Sequence, residues 1–247
     1  MLWLSIDVEE VQDMNFNIKW KKNPEINYES VIDWFLDKCE NKKATAFVLG
    51  SFAKKYPGIV KKISKKIEVA SHGYNHELVY KQPFEVWEKE IKDSKKLLED
   101  IIQKPIKGYR APSWSMPFEK KYYEVLAKEG FEYSSSYFPM KNYMYGNEID
   151  KKNPFKIFTK YGVVEERPIP KKTIPYSGGF YLRFLPTFIL KKMFDENSIL
   201  YIHPYELIDE NLLTFFNDYA DKNIDYFLAF FHMGNTRKKI LKIINGN

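Results

Sequence analysis

"LWLSIDVEEV", residues 2–11, opens as an apolar run and stops abruptly in three carboxylates, Asp7, Glu9 and Glu10. The run has the length of a buried strand, and acids at its tip either end that strand in water or serve a site. The pattern recurs along the chain. Short apolar runs at 2–6, 44–49, 67–71, 106–110, 131–135, 199–203 and 226–231 read as strands. Stretches with apolar residues three and four apart, near 28–40, 52–65, 83–102, 117–129, 186–195, 209–222 and 235–244, read as helices. The clearest is 83–102, where Phe84, Trp87, Ile91, Leu97, Leu98 and Ile101 fall on roughly one face. Pro117 suits a first helical position and Gly130 a C-terminal stop. Alternation of strand and helix predicts parallel strands with helices outside, in an α/β fold: a single-domain distorted (β/α) barrel, seven-stranded, spanning 1–247. The stretch 137–180, rich in Pro, Lys, Tyr and Gly, is expected to be a β-like insertion over one end of the barrel. No low-complexity linker or internal repeat divides the chain.

Composition narrows the function. Hydrophobic residues make up 44% and charged residues 29% of 247, close to ordinary globular usage, which argues against disorder. The aromatic share of 17% suits a groove for a flat or sugar-like ligand as well as core packing. The net charge of +6 comes mainly from scattered lysines; the run Lys61, Lys62, Lys65, Lys66 reads as a solvated helix face, and no nucleic-acid-binding motif accompanies it. A single cysteine, Cys39, excludes an internal disulfide framework and a Cys-based zinc cluster. The first residues lack the basic start and long apolar stretch of a signal peptide, and no run approaches the ~18 apolar residues of a membrane span. The expected location is the cytoplasm.

In a parallel α/β barrel, functional side chains gather at the C-terminal ends of the strands. The first strand ends in Asp7-Val8-Glu9-Glu10, the third in "SHGYNHE", the fourth in "GYRAPSW" and the one at 199–203 in "HPYE". Three of the four histidines, His72, His76 and His203, therefore fall at strand ends. His72-x-x-x-His76 would set two imidazoles on one side of a helical turn, a spacing that lets them share a metal. Zinc-like sites also accept a carboxylate, and residues two apart on a strand point the same way. Asp7 and Glu9 then share a face while Glu10 points elsewhere; one acid can bind the metal and the other act as a base. Arg110, set among Tyr109, Pro112 and Trp114, is placed to pair with a carboxylate at the barrel mouth. His232 has no comparable partner and reads as a packing or surface residue.

Taken in order, Asp-x-Glu, His-x-x-x-His, Arg-x-Pro and His-Pro resemble the polysaccharide deacetylase family, the NodB-homology carbohydrate esterases. The stretches "SIDVEE", "SHGYNHE", "GYRAPSWS", "SGGFYLRFLP" and "LYIHPYE" are similar to a branch whose first motif reads Asp-Val-Glu, and the resemblance runs from residue 4 to about 207. It implies a metal-dependent hydrolase that removes an N-acetyl group from an amino sugar. It makes Asp7 the general base, His72 and His76 the metal ligands, Arg110 the tether of the catalytic acid and His203 the general acid. The family's usual second Asp is replaced by Val8; Glu9, with one more methylene of reach, is the candidate third ligand, with Glu10 in reserve. The family's acid before the Ser pair is Ser134 here, which leaves Arg110 to interact only with Asp7 or to find a different partner. Zinc is the expected ion, with Co, Ni, Mn or Fe as alternatives. Tyr74, Trp114 and Tyr205, beside the motifs, are candidate sugar-binding residues, and the glycines of "YSGGF" would let backbone approach a ligand closely. With no leader expected, the substrate would be a nucleotide- or lipid-linked amino-sugar precursor of a surface polysaccharide. A degenerate sugar-binding protein and a deacylase or deformylase of a lipid-linked sugar are the alternatives.

Overall fold

The opening run forms the expected strand. Trp3–Val8 (β1) is extended with all six residues buried, as a strand covered on both faces requires. The computed structural model describes residues 2–140, 146, 151, 153–208 and 218–245. After β1 come α1 (Tyr28–Lys38), β2 (Lys43–Val48), α2 (Gly50–Lys55), α3 (Pro57–Ser64), β3 (Glu68–Ser71), α4 (Phe84–Ile102), β4 (Gly108–Tyr109), α5 (Lys120–Lys128) and β5 (Tyr133–Ser134). They are followed by β6 (Phe155–Thr159), β7 (Gly162–Glu166), α6 (Gly179–Phe184), α7 (Thr187–Met193), β8 (Ile199–Ile202), α8 (Ile224–Phe230) and α9 (Thr236–Ile244).

The chain forms two compact units, Met1–Ala44 with Lys172–Asn247, and Thr45–Lys171. In the first, β1 and β8 pair in parallel from Trp3 opposite Ile199 to Ile6 opposite Ile202. An apolar cluster there packs Val11, Met14 and Ile18 with Tyr205, Tyr226 and Met233. In the second, β2, β3, β4, β5 and β7 pair in parallel in that order, and β6 lies antiparallel to β7. Helix α4 buries Trp87, Ile91, Ser94 and Leu98, a stripe at helical spacing, and stops where Gln103 turns left-handed. Cys39 is buried, and burial pushes its thiol up to about 12, as suits an inert core residue.

Several expectations need correction. Residues 226–231 are not a strand: they lie in and just after α8, where the Asn223 side chain accepts from the Tyr226 N–H and caps the first turn. A short apolar run carries no periodicity that tells strand from helix, and the cap decides it. Among the described residues seven strands pair in parallel, and β7 takes the place assigned to 226–231. It comes from the stretch read as an insertion, yet it pairs with β5, Ser134 opposite Glu166, and so belongs to the sheet of its unit. The helix expected over 52–65 breaks at Tyr56–Pro57 into α2 and α3. Pro117 precedes α5 by three residues and does not open it, whereas Gly130 does follow the helix end with a positive φ of 79°. The helix expected over 209–222 lies mostly outside the described residues.

Gly178 and Gly179 lead into α6, and the close approach they permit is to β8. A Cβ on Gly178 would stand 2.2 Å from the Tyr201 carbonyl oxygen and 2.7 Å from its ring. Gly178→Ala is therefore expected to lower stability by about 1–3 kcal/mol, the usual cost of overpacking. Urea unfolding checks this; a midpoint equal to wild type would show that β8 can yield.

Candidate active site

In the second unit, the site builds on the end of β3. The backbone N–H of His72 donates to the Val48 carbonyl of β2 (3.0 Å), continuing the ladder one residue past the strand. Then the chain turns, with Gly73 at φ 85° and His76 at φ 60°. His72 and His76 thus sit on an irregular loop and not on a helical turn, which corrects the expectation. The loop is fastened by buried hydroxyls: Ser94 of α4 donates to the Gly73 carbonyl (2.9 Å) and meets the Ser71 hydroxyl (2.8 Å). The first N–H groups of α2 hold it from the other side, Gly50 to the Gly73 carbonyl and Ser51 to the Tyr74 carbonyl. A Cβ at Gly50 would collide with the half-buried Tyr74 ring at 2.6 Å.

Both imidazoles are buried, with ring centroids 5.2 Å apart. Nδ1 of His72 lies 2.8 Å from the Arg110 carbonyl oxygen. A carbonyl only accepts, so Nδ1 carries the hydrogen and the lone pair of Nε2 is the one available to a metal. Arg110 is fully buried, its guanidinium 3.9 Å from the centroid of the Phe47 ring and its Nη2 donating to Ser135 Oγ (3.2 Å). Trp114 is buried at a left-handed φ of 49° and packs on Phe138.

The departure at Ser134 has a structural counterpart. Glu166, its neighbour on β7, is completely buried. Its Oε1 accepts from the N–H groups of Ser136 (2.8 Å) and Tyr137 (3.0 Å), and its Oε2 from the Tyr123 hydroxyl (2.9 Å). Burial raises its pKa despite those bonds. Glu166 went unnoticed in the sequence because only strand pairing brings it beside Ser134.

In the first unit, Asp7 and Glu9 are buried, at 2% and 1% exposure, so the acids do not simply end β1 in water. Glu10 is spent locally: its side chain caps Val11–Asp13 while its own N–H donates to Asp13 (2.9 Å). The hydroxyl of Tyr205 donates to Glu9 Oε1 (3.4 Å). Burial, then the Glu9 charge, holds that phenol well above its usual range, with Asp7 adding in the same sense. The Tyr205 ring stacks on His203 at 5.0 Å and 8°. Buried in this way, Tyr205 orients two other site candidates. His203 makes a further bond absent from the sequence reading: its Nδ1 lies 3.0 Å from Glu206 Oε2. Glu206 in turn pairs with Arg183. The capping pattern of "HPYE", an acid three residues past a helix start, was the available signal.

Residues 20–134 match the polysaccharide deacetylase family model, and residues 135–246 match a domain of unknown function, DUF3473. That match places residues 20–134 in the polysaccharide deacetylase family. Solved structures carry the fold. A candidate polysaccharide deacetylase from Mycobacterium smegmatis aligns at a TM-score of 0.54 and 21% identity, over 71% of this chain and 64% of that one. A CE4 family pseudoenzyme from Bacillus anthracis aligns at 0.51 and 12%, over 83% and 54%. A mutant of it with restored enzymatic activity aligns at 0.52 and 14%, over 83% and 56%. The chain thus has a mixed α/β fold of the (β/α)-barrel class, and it spans between 54% and 64% of the length of those structures. No curated relative matches it by sequence. Among the described residues no helix is long and apolar enough to cross a membrane.

Glu166 offers a test by pH. Its raised pKa means that its contribution to stability is complete below the ordinary value of 4.5 and is lost as pH rises through the raised one. Glu166→Gln keeps the acceptor for Ser136 and Tyr137 and removes the charge. The melting temperature of the variant relative to wild type is expected to climb between about pH 4 and about pH 7. A difference that stays flat over that range would refute the buried-acid assignment.

Proposed function

We propose that the protein is a metal-dependent carbohydrate N-deacetylase, acting on an N-acetylated amino sugar in a surface-polysaccharide precursor, nucleotide- or lipid-linked. One observation carries the reading. Inside the polysaccharide deacetylase match, His72 and His76 are buried side by side, and the hydrogen bond to the Arg110 carbonyl leaves a nitrogen lone pair on His72 for a ligand. Two imidazoles suit a divalent ion of the zinc type, and the buried carboxylate of Glu9 is the third ligand we assign. A bound ion would supply Lewis-acid polarisation of the acetyl carbonyl and a water acidic enough to react near neutral pH.

The remaining roles fall to the chain itself. Asp7 takes the proton of the attacking water as the C–O bond forms. His203, protonated at Nε2, gives its proton to the departing amine; the C–N bond breaks and acetate and a free amino sugar remain. Arg110 keeps the base ionised and oriented, and its stacking on Phe47 holds the guanidinium in place. Tyr74 and Trp114 are the residues we assign to the sugar ring.

Elemental analysis of protein purified without chelator or a metal-binding tag is the first test, followed by acetate release from a panel of N-acetylated amino sugars. Wild type is expected to hold near-stoichiometric metal, lost in His72→Ala and Glu9→Ala and retained in Glu10→Ala. His203→Ala is expected to keep its metal and lose about 10²–10⁴ in kcat. Wild type that binds no ion after incubation with zinc or cobalt, or that releases no acetate from any sugar, would sink the proposal.

A further inference from the structure

His203 is held on three sides. Its Nδ1 meets Glu206 Oε2 at 3.0 Å, one face stacks on Tyr205, and the Tyr201 ring stands perpendicular to it at 6.0 Å. A carboxylate only accepts, so Nδ1 carries the hydrogen and Nε2 is the nitrogen that exchanges a proton. The same Oε2 also accepts from the His203 backbone N–H (3.0 Å), which fixes the carboxylate relative to the ring it orients. The other oxygen, Oε1, receives Nη1 of Arg183.

Arg183 is itself anchored through the rest of its fork. Nε donates to the Phe231 carbonyl (2.8 Å), and Nη2 to the carbonyls of Leu228 (3.1 Å) and Ala229 (2.8 Å). These are carbonyls at the C-terminal end of α8, which lack helical partners and favour a cation. Burial pulls the guanidinium down to about 10, still charged at neutral pH. Arg183 sits near the end of α6, and Lys239 of α9 closes that end by donating to the carbonyls of Leu182 (3.1 Å) and Leu185 (2.7 Å).

We propose that Glu206, clamped by Arg183, is the positioning residue that sets the tautomer and ring orientation of His203, and that this pair is what the "GGFYLR" and "HPYE" stretches encode together. The proposal deepens the deacetylase reading and rests on it for the role of His203; the Nδ1–H geometry does not. It supplies the general acid with a carboxylate from its own turn, three residues on.

Imidazole ¹⁵N shifts on metal-free protein decide the geometry, with His203→Gln identifying the signals among four histidines. Wild-type His203 is expected to carry its neutral-form hydrogen on Nδ1. Glu206→Gln keeps an acceptor without the charge, and should retain the tautomer while kcat falls about tenfold. Glu206→Leu with Arg183→Met removes both charges, so that no ion is left buried alone; the tautomer should be lost and kcat should fall about 10²-fold, with KM within about threefold of wild type. Wild-type His203 with its hydrogen on Nε2 overturns the proposal, and so does a double variant that keeps both the tautomer and kcat. If the double variant does not fold, the wild-type tautomer and the kcat of Glu206→Gln still decide. Wild type that releases no acetate removes the catalytic role, while the shifts still report on the positioning.

Discussion

Taking a guanidinium and a carboxylate out of water costs several kcal/mol per ion, and their attraction offsets this only if further hydrogen bonds satisfy what remains. The first unit is arranged around that condition. Arg183 and Glu206 are both almost wholly buried. Every polar edge that the arginine presents in the described bonds meets either the glutamate or a carbonyl at the end of α8. The helix end and the arginine solve each other's problem: orphan carbonyls need donors, and a buried guanidinium needs acceptors. Glycines at 178 and 179 then make sense, because only a backbone without a Cβ at 178 lets α6 start against β8 and carry Arg183 inward.

The second unit meets the same cost without an opposite charge. Glu166 is buried among two backbone N–H groups and a phenol, and it titrates upward. Neutral donors hold an acid in place but lower the cost of its charge less than a cation does. The two acids therefore differ in kind. Glu206 lies beside a fixed cation, which fits the partner proposed for the imidazole of His203. Glu166 fits a structural tie between β7 and the Ser134–Tyr137 segment.

Much of this was legible from residue patterns. The all-buried β1, the stripe of α4 and the strand ends bearing histidines follow from periodicity and from where polar residues interrupt apolar runs. Three things were not. Residues 226–231 carry no period, and the Asn223 cap that makes them helical lies outside the run. Ser134 and Glu166 are opposite one another only through a pairing across 32 positions, which no local pattern announces. The loop bearing His72 and His76 depends on left-handed backbone at His76, a conformation that a histidine seldom adopts and that its spacing does not reveal. The Glu206 role lay within reach, since an acid three residues past "H-P" is a capping signature; its second use, on the imidazole of the same cap residue, needed coordinates.

The two best-placed histidines show how one side chain is given two characters. In both, an acceptor fixes the hydrogen on Nδ1 and makes Nε2 the working nitrogen. For His72 the acceptor is the Arg110 carbonyl, which is neutral. It chooses the tautomer without favouring an added proton, and a metal ligand has to be the unprotonated imidazole. For His203 the acceptor is a carboxylate, which favours the imidazolium, and an acid has to arrive protonated. A carbonyl at His203 would leave the ring aimed but poorly charged, and a carboxylate at His72 would invite the proton that competes with the metal. In the proposed mechanism the partners at Nδ1, more than the histidines themselves, therefore suit one ring to a metal and the other to an acid's work.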